Sequence, residues 1–149
     1  MRDAIKSYED LEVWQLGIDL TLRAYEVVDK LPSSERFELS SQIRRCVVSV
    51  PANVAEGHAR RLPKPYLNHV YIALGSLAEW GTYLVIADRL GFISRDVFEK
   101  ERHEADRLGQ MLHALARSLE YRIERLKLGL ALGAFALCIA GATALGMLR

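Results

Sequence analysis

The residues of this sequence whose chemistry points most directly to a function are basic. Six arginine or lysine residues and only two acidic residues lie between Arg36 and Lys64, and His58 and Tyr66 are close by. Clustered guanidinium groups beside an aromatic ring are typical of surfaces that bind a phosphate backbone. The predicted binding residues for RNA or a protein partner are Arg44, Arg45, Arg60, Arg61 and Lys64.

The total charge of the chain gives no general support for nucleic-acid binding by this cluster. The 149 residues include 20 Lys and Arg against 19 Asp and Glu, so any nucleic-acid contact has to come from a local patch. The alternative is that Arg45 pairs internally with Glu56 or Glu79 and that the charges of the loop stay solvated. Both interpretations remain open at the level of sequence.

Catalytic and metal-binding motifs are absent from the sequence. It contains no H-E-x-x-H, no pair of E-x-x-H motifs, no glycine-rich phosphate loop and no C-x-x-C. His103 follows Glu99 by one helical turn, which is more typical of a surface contact than of a metal site. Nothing in the spacing of Ser49, Ser76 and Asp88 supports a hydrolytic site. We therefore expect a non-enzymatic protein with no cofactor and no metal.

Four segments carry apolar residues at the spacing of an α-helix, and none alternates like a strand. They cover about residues 8–31, 34–57, 66–90 and 94–120, with short links that contain proline or glycine. Helices of this length with short links are typical of an up-down-up-down bundle. We predict an all-α, antiparallel four-helix bundle over residues 1–127, with an added C-terminal hydrophobic helix.

The second segment carries three local expectations. Ser34 is a plausible N-cap, the apolar stripe begins at Phe37, and Gly57 is a natural C-terminal stop. Pro51 lies inside the stripe, where it removes a backbone donor and clashes with the preceding turn. We expect a kink or a break of the helix there.

Two other segments have features that concern packing. The first segment has one apolar stripe through Trp14 and a second through Leu16. Because the core of a single bundle needs only one apolar face of a helix, the second stripe indicates contact with another subunit. Gly75 and Gly81 each weaken the third helix by about 1 kcal/mol relative to alanine. We expect close approach of a neighbouring helix as the compensation.

The run S-Q-I-R-R-C-V-V-S-V-P-A-N-V-A-E-G at 41–57 resembles the four-helix-bundle family of proteins encoded by intervening sequences in bacterial 23S ribosomal RNA genes. Y-E-D-L-E-V-W-Q at 8–15 and Y-I-A-L-G-S-L-A-E at 71–79 match as well, so the resemblance covers about residues 8–120. The accessory variability determinant proteins of diversity-generating retroelements belong to the same group.

The resemblance implies an up-and-down bundle without assigned catalytic residues. Some members are homopentameric, so we expect a homo-oligomer with five subunits. The retroelement branch binds RNA and a reverse transcriptase through a basic surface. Since that branch is strongly basic and this chain is near neutral, the resemblance leaves RNA binding open here.

The C-terminal tail has a different composition from the bundle. Leu128–Leu148 contains no charged residue, and as a helix it spans about 31 Å, close to the hydrocarbon thickness of a bilayer. Arg122, Arg125 and Lys127 precede it and Arg149 alone follows, which places the bundle on the cytoplasmic side. We predict membrane attachment through Leu128–Leu148. The alternative is an apolar helix inside the lumen of an oligomeric ring.

Two functions follow from these features. One is a non-enzymatic oligomeric scaffold that binds RNA or a protein partner through the basic residues. The alternative is a membrane-tethered structural or adaptor protein whose bundle only clusters subunits. For both we expect a cytoplasmic bundle at the inner face of the cell membrane, with Cys46 and Cys138 as buried, reduced thiols.

Overall fold

A computed structural model describes the backbone of residues 6–146 and the side chains of residues 6–130. Its four helices are α1 (Glu12–Val28), α2 (Leu39–Ala59), α3 (Pro63–Arg89) and α4 (Arg95–Gly146). Single 3-10 turns at Tyr8–Asp10 and Ser33–Arg36 precede α1 and α2, and the described backbone contains no strand. Each helix packs against the next, and α1 also packs against α4. The predicted all-α helical bundle is confirmed.

The core lies where the apolar faces of the four helices meet. Its largest fully buried side chains are Leu20, Ile43, Val47, Val50, Val54, Val70, Trp80, Leu84, Leu108, Leu112 and Leu119. On α1 the buried stripe is the one through Leu16 and Leu20, whereas Trp14 is only partly buried and Tyr25 is 40% exposed. The apolar surplus of α1 therefore lies at the margin of the core.

Pro51 lies inside α2 without ending it, so the expectation of a break in the helix at this residue is wrong. The missing N–H of Pro51 leaves the carbonyl of Val47 without its helical donor. The hydroxyl of Thr21 on α1 lies 3.0 Å from that carbonyl oxygen and 2.8 Å from the carbonyl oxygen of Gly17 on its own helix, so its single proton is shared between the two acceptors. Gly17 lies at this contact, where a Cβ atom would be 3.4 Å from the Pro51 ring, an ordinary van der Waals distance. A neighbouring helix thus replaces the hydrogen bond that proline removes.

Close packing of helices depends on Gly57 rather than on Gly75 and Gly81, the glycines at which it was expected. Gly57 does not stop α2, and a Cβ atom on it would lie 2.4 Å from the Tyr66 ring and 2.9 Å from Cβ of His69. A Cβ atom on Gly75 would meet nothing within 4 Å, and one on Gly81 only a guanidinium nitrogen at 3.8 Å. The expected close approach at Gly75 and Gly81 is therefore wrong within this chain.

The start of α2 also differs from the expectation. Ser34 belongs to the 3-10 turn rather than capping the helix, and Phe37 is 83% exposed because α2 begins two residues later. The connection between α3 and α4 has regular end geometry at both helices. Gly91 ends α3 with a positive φ of 71°, and the Ser94 hydroxyl accepts from the Val97 amide in the first turn of α4.

α4 runs without a break through Lys127, the residue chosen as the end of the bundle. Among the described side chains, Leu119 is the last that is fully buried, and every residue from Glu124 to Leu130 is exposed. The described part of α4 after Glu124 therefore does not pack into the core. Beyond Leu130 the side chains of the predicted tail lie outside the described residues. Within the residues that the structure describes, the helix long and apolar enough to cross a membrane is α3, a core helix.

Candidate basic surfaces

The predicted binding residues do not form one surface. Arg44 and Arg60 are sixteen residues apart on α2, which separates them by about 24 Å along one helix. Arg44 and Arg45 lie toward the end where α2 begins, and Arg60, Arg61 and Lys64 lie at the end where it gives way to α3.

The first group belongs to a surface in which arginines lie over exposed aromatic rings. We call it the distal surface and define it by Tyr25, Arg36, Phe37, Arg44 and Arg45. The Arg44 guanidinium carbon lies 5.6 Å from the centroid of the Tyr25 ring, and that of Arg36 lies 5.5 Å from Phe37. Such pairs offer a cation for a phosphate and a ring for a base.

Arg36 and Arg44 also share a small cavity of about 220 Å³. The other polar residues that line it are Asp29, Ser33 and Ser40. Ser40 is 3% exposed, so its hydroxyl group belongs to the wall of the cavity rather than to the outer surface.

Arg45 does not form the internal pairs that were its alternative role. Its guanidinium group donates to the Gln42 side chain one turn earlier on α2 and stays exposed. Glu56 is paired with Arg60 instead, at 2.6 Å. The hydrogen bond from Arg60, with a smaller effect of His69, lowers the pKa of the Glu56 carboxyl group.

The second group lies in the tight connection between α2 and α3. Arg61 has a positive φ of 59°, and this left-handed residue turns the chain from one helix into the next. Leu62 follows it, 63% exposed, and precedes Pro63, the first residue of α3. The turn therefore presents a cation and an apolar side chain together at the tip of the bundle.

Lys64 lies between this connection and the part of α4 that precedes the uncharged stretch. It lines one groove with Asn68 of α3 and with Glu120, Glu124 and Lys127 of α4. The basic residues that precede the tail therefore lie at the same end as the α2–α3 connection. We call this the tail-side surface and define it by Arg60, Arg61, Lys64, Arg122, Arg125 and Lys127. From sequence, these appeared as two unrelated groups.

A row of polar side chains, which sequence reasoning missed, joins α2 to α3. Ser76 donates to the Ser49 hydroxyl at 2.9 Å, and the Asn53 amide donates to the backbone carbonyl of Ser49 at 2.9 Å. His69 Nδ1 lies 3.0 Å from Asn53 Oδ1, and its Nε2 lies 3.7 Å from Glu56. The spacing of Ser49, Asn53 and Glu56 on one helix face is the signal that could have found it.

This row does not assemble a nucleophile with a base. His69 contacts Asn53 rather than either serine, and Asp88 pairs with Arg95 at 2.9 Å near the opposite end of the bundle. Burial, with the nearby charge of Glu79, raises the pKa of the Cys46 thiol to about 12. Within the described part of the chain, no three His, Cys, Asp or Glu side chains are grouped so as to hold a metal ion. The row instead fixes the position of α3 along α2.

The fold defines the chain as an all-α helical-bundle protein. The chain belongs to the 23S rRNA-intervening sequence protein family, whose model matches residues 9–114. A similar solved structure is that of a protein with unknown function from the S23 ribosomal protein family of Bacteroides thetaiotaomicron. It has 22% sequence identity and a TM-score of 0.65, and the alignment covers 70% of this chain and 97% of that one. No curated protein matches the chain.

Proposed function

We propose that this protein is a non-enzymatic helical-bundle scaffold that is held at a membrane by the C-terminal part of α4. The observation that carries the proposal is the continuity of α4, which runs from the core residue Leu119 through Lys127 to Gly146. From residue 128 to 146 this helix extends about 28 Å, near the hydrocarbon thickness of a bilayer. The uncharged sequence is therefore an extension of a bundle helix rather than a separate segment on a linker.

The proposed orientation places the bundle at the inner face of the cell membrane. Arg122, Arg125 and Lys127 precede the uncharged stretch, and cytoplasmic flanks are enriched in such residues. The α1–α2 side of the bundle carries the exposed apolar side chains of Leu22 and Val48. We propose this side as the contact between copies in a homo-oligomer, which would cluster several anchors at one point.

Cell fractionation of the full-length chain tests the attachment. We expect the protein in the membrane fraction, resistant to high salt and alkaline carbonate and released by detergent. The variant Phe135→Lys/Ile139→Lys places two cations near the middle of the tail, where each opposes insertion by about 3 kcal/mol. This variant should move to the soluble fraction.

The matched control is Ile72→Lys/Leu90→Lys, which introduces the same two cations at positions of the bundle that are 51% and 58% exposed. It should stay with the membrane. Recovery of the wild-type chain in the soluble fraction, or equal membrane retention of the tail variant, contradicts the proposal.

The distal surface supports a second function, the binding of single-stranded RNA. The observation is that the two arginines of the arginine–aromatic pairs, Arg36 and Arg44, line one cavity, and that Tyr25 and Phe37 are exposed. Filter binding over a salt series tests it. Arg36→Ala/Arg44→Ala should weaken binding and reduce the salt slope by about one per lost phosphate contact.

Arg60→Ala/Arg61→Ala removes the same charge at the opposite end and serves as the control. It should leave RNA affinity unchanged. If the distal variant binds as the wild type does, or if the control loses binding to the same extent, the distal surface is not an RNA site.

A further inference from the structure

We infer that the tail-side surface binds the headgroups of anionic phospholipids and holds that end of the bundle against the bilayer. This inference rests on the proposed membrane attachment and deepens it. It gives Arg60, Arg61 and Lys64, first considered for RNA, a different ligand.

The tail-side surface lies at the end of the bundle from which the tail departs. α2 and α3 meet through the connection at Arg61 and Leu62, and the start of α3 lies beside the point where α4 leaves the bundle. If α4 continues into a bilayer, this end faces the headgroups, and the distal surface, about 24 Å away along α2, does not.

A second feature is the charge at this end. The surface has six basic residues, and the acidic residues among them are Glu56, Glu120 and Glu124. Two of these carboxylates are already paired, Glu56 with Arg60 and Glu124 with Lys127. Glu120 accepts a hydrogen bond from Tyr71.

Four cations of the surface therefore have no carboxylate partner among the described residues. They are Arg61, Lys64, Arg122 and Arg125, and all four are exposed. Basic residues beside a membrane anchor are attracted by the negative potential of anionic lipids, which falls off within about 10 Å. The surplus of positive charge thus lies where that potential is strongest.

A third feature is the presence of apolar and aromatic side chains among these cations. Leu62 is 63% exposed between Arg61 and Lys64. Tyr121 is 65% exposed and lies under Arg125, with 6.0 Å between guanidinium carbon and ring centroid. Tyrosine is enriched at the level of lipid headgroups, and lysine and arginine side chains extend toward them. A nucleic acid would give no comparable reason for an exposed leucine at the tip.

The test uses the full-length chain in vesicles, with an environment-sensitive fluorophore at Leu62→Cys in a Cys138→Ser background. One set of vesicles is phosphatidylcholine, and the other contains about a quarter phosphatidylglycerol. We expect a blue shift of the fluorophore in the anionic vesicles relative to the neutral ones, and loss of the shift at high salt. Arg61→Glu/Lys64→Glu should abolish it.

The matched control is Arg89→Glu/Lys100→Glu, which reverses two exposed cations near the distal end and makes the same change in net charge. It should keep the blue shift. Flotation of the same vesicles distinguishes a failure of the membrane attachment from a failure of the headgroup contact. A chain that fails to float with either lipid overturns the membrane attachment and this inference together.

A chain that floats with both lipids but shows no lipid-dependent shift overturns the headgroup contact alone. The same conclusion follows if the charge-reversed variant keeps the shift or if the control loses it. A blue shift of equal size on adding single-stranded RNA without vesicles overturns the lipid assignment in favour of nucleic acid.

Discussion

The contact between the Thr21 hydroxyl of α1 and the Val47 carbonyl of α2 leads to a quantitative prediction. Replacing Thr21 by valine keeps the shape of the side chain but removes the hydroxyl group that lies 3.0 Å from the Val47 carbonyl oxygen and 2.8 Å from that of Gly17. Val47 is fully buried, and Pro51 supplies no N–H to its carbonyl. A buried acceptor left without a partner costs about 1–3 kcal/mol, so Thr21→Val should lower the free energy of unfolding by that amount.

A double-mutant cycle isolates the cause. Pro51→Ala supplies a backbone N–H to Val47, so in that background the carbonyl no longer depends on Thr21. The cost of Thr21→Val should then fall below about 0.5 kcal/mol, and the coupling free energy should be about 1–2 kcal/mol. The difference between the two Thr21→Val costs cancels the separate effects of Pro51→Ala on helix propensity and packing.

Urea unfolding of the full-length variants in one mild detergent, followed by circular dichroism, gives the free energies. Thr82→Val is the control, because the Thr82 hydroxyl donates to the Ala78 carbonyl four residues earlier on an unbroken helix. That carbonyl keeps its helical N–H, so the loss should be small. Equal costs of Thr21→Val in the wild-type and Pro51→Ala backgrounds would refute the reasoning.

Three further predictions concern packing and charge. Gly57→Ala should destabilise the bundle by about 1–3 kcal/mol in thermal unfolding, because the new Cβ meets the tyrosine ring at the start of α3, whereas Gly75→Ala should be neutral or stabilising. Glu101→Gln should cost about 2 kcal/mol in urea unfolding, because Glu101 is 4% exposed and its carboxylate lies 3.3 Å from Arg23. A loss below about 0.5 kcal/mol would contradict a structural role for this ion pair. With a pKa of about 12, the Cys46 thiol should resist maleimide at pH 8 in the folded chain and react after unfolding, as peptide mapping would report.

The helices and most of their buried faces could be predicted from the sequence, because apolar periodicity is a local property of the chain. Leu84 and Leu112, for example, follow the pattern and are fully buried. Phe37 follows the same pattern and is exposed, since the first turn of the predicted helix forms as a 3-10 turn instead. The pattern identifies a helix face but not the residue at which the helix begins.

Proline and glycine residues were the least predictable positions. Pro51 leaves the Val47 carbonyl without its helical donor, and whether Thr21 reaches that carbonyl depends on the packing of α1 on α2. Gly57 and Gly75 are chemically identical, yet one adjoins a tyrosine ring and the other open space. These differences come from neighbours distant in sequence, which local propensity does not include.

The candidate site shows the same division. The sequence by itself determined which residues are basic, that the net charge is nearly zero, and that an uncharged stretch follows Lys127, because these are properties of composition and order. Only the tertiary structure decided which cations act together. A continuous α2 separates Arg44 from Arg60, and antiparallel packing brings Lys64 beside the point where α4 leaves the bundle. Helix length and direction therefore divide one basic cluster into two surfaces and join half of it to the base of the tail.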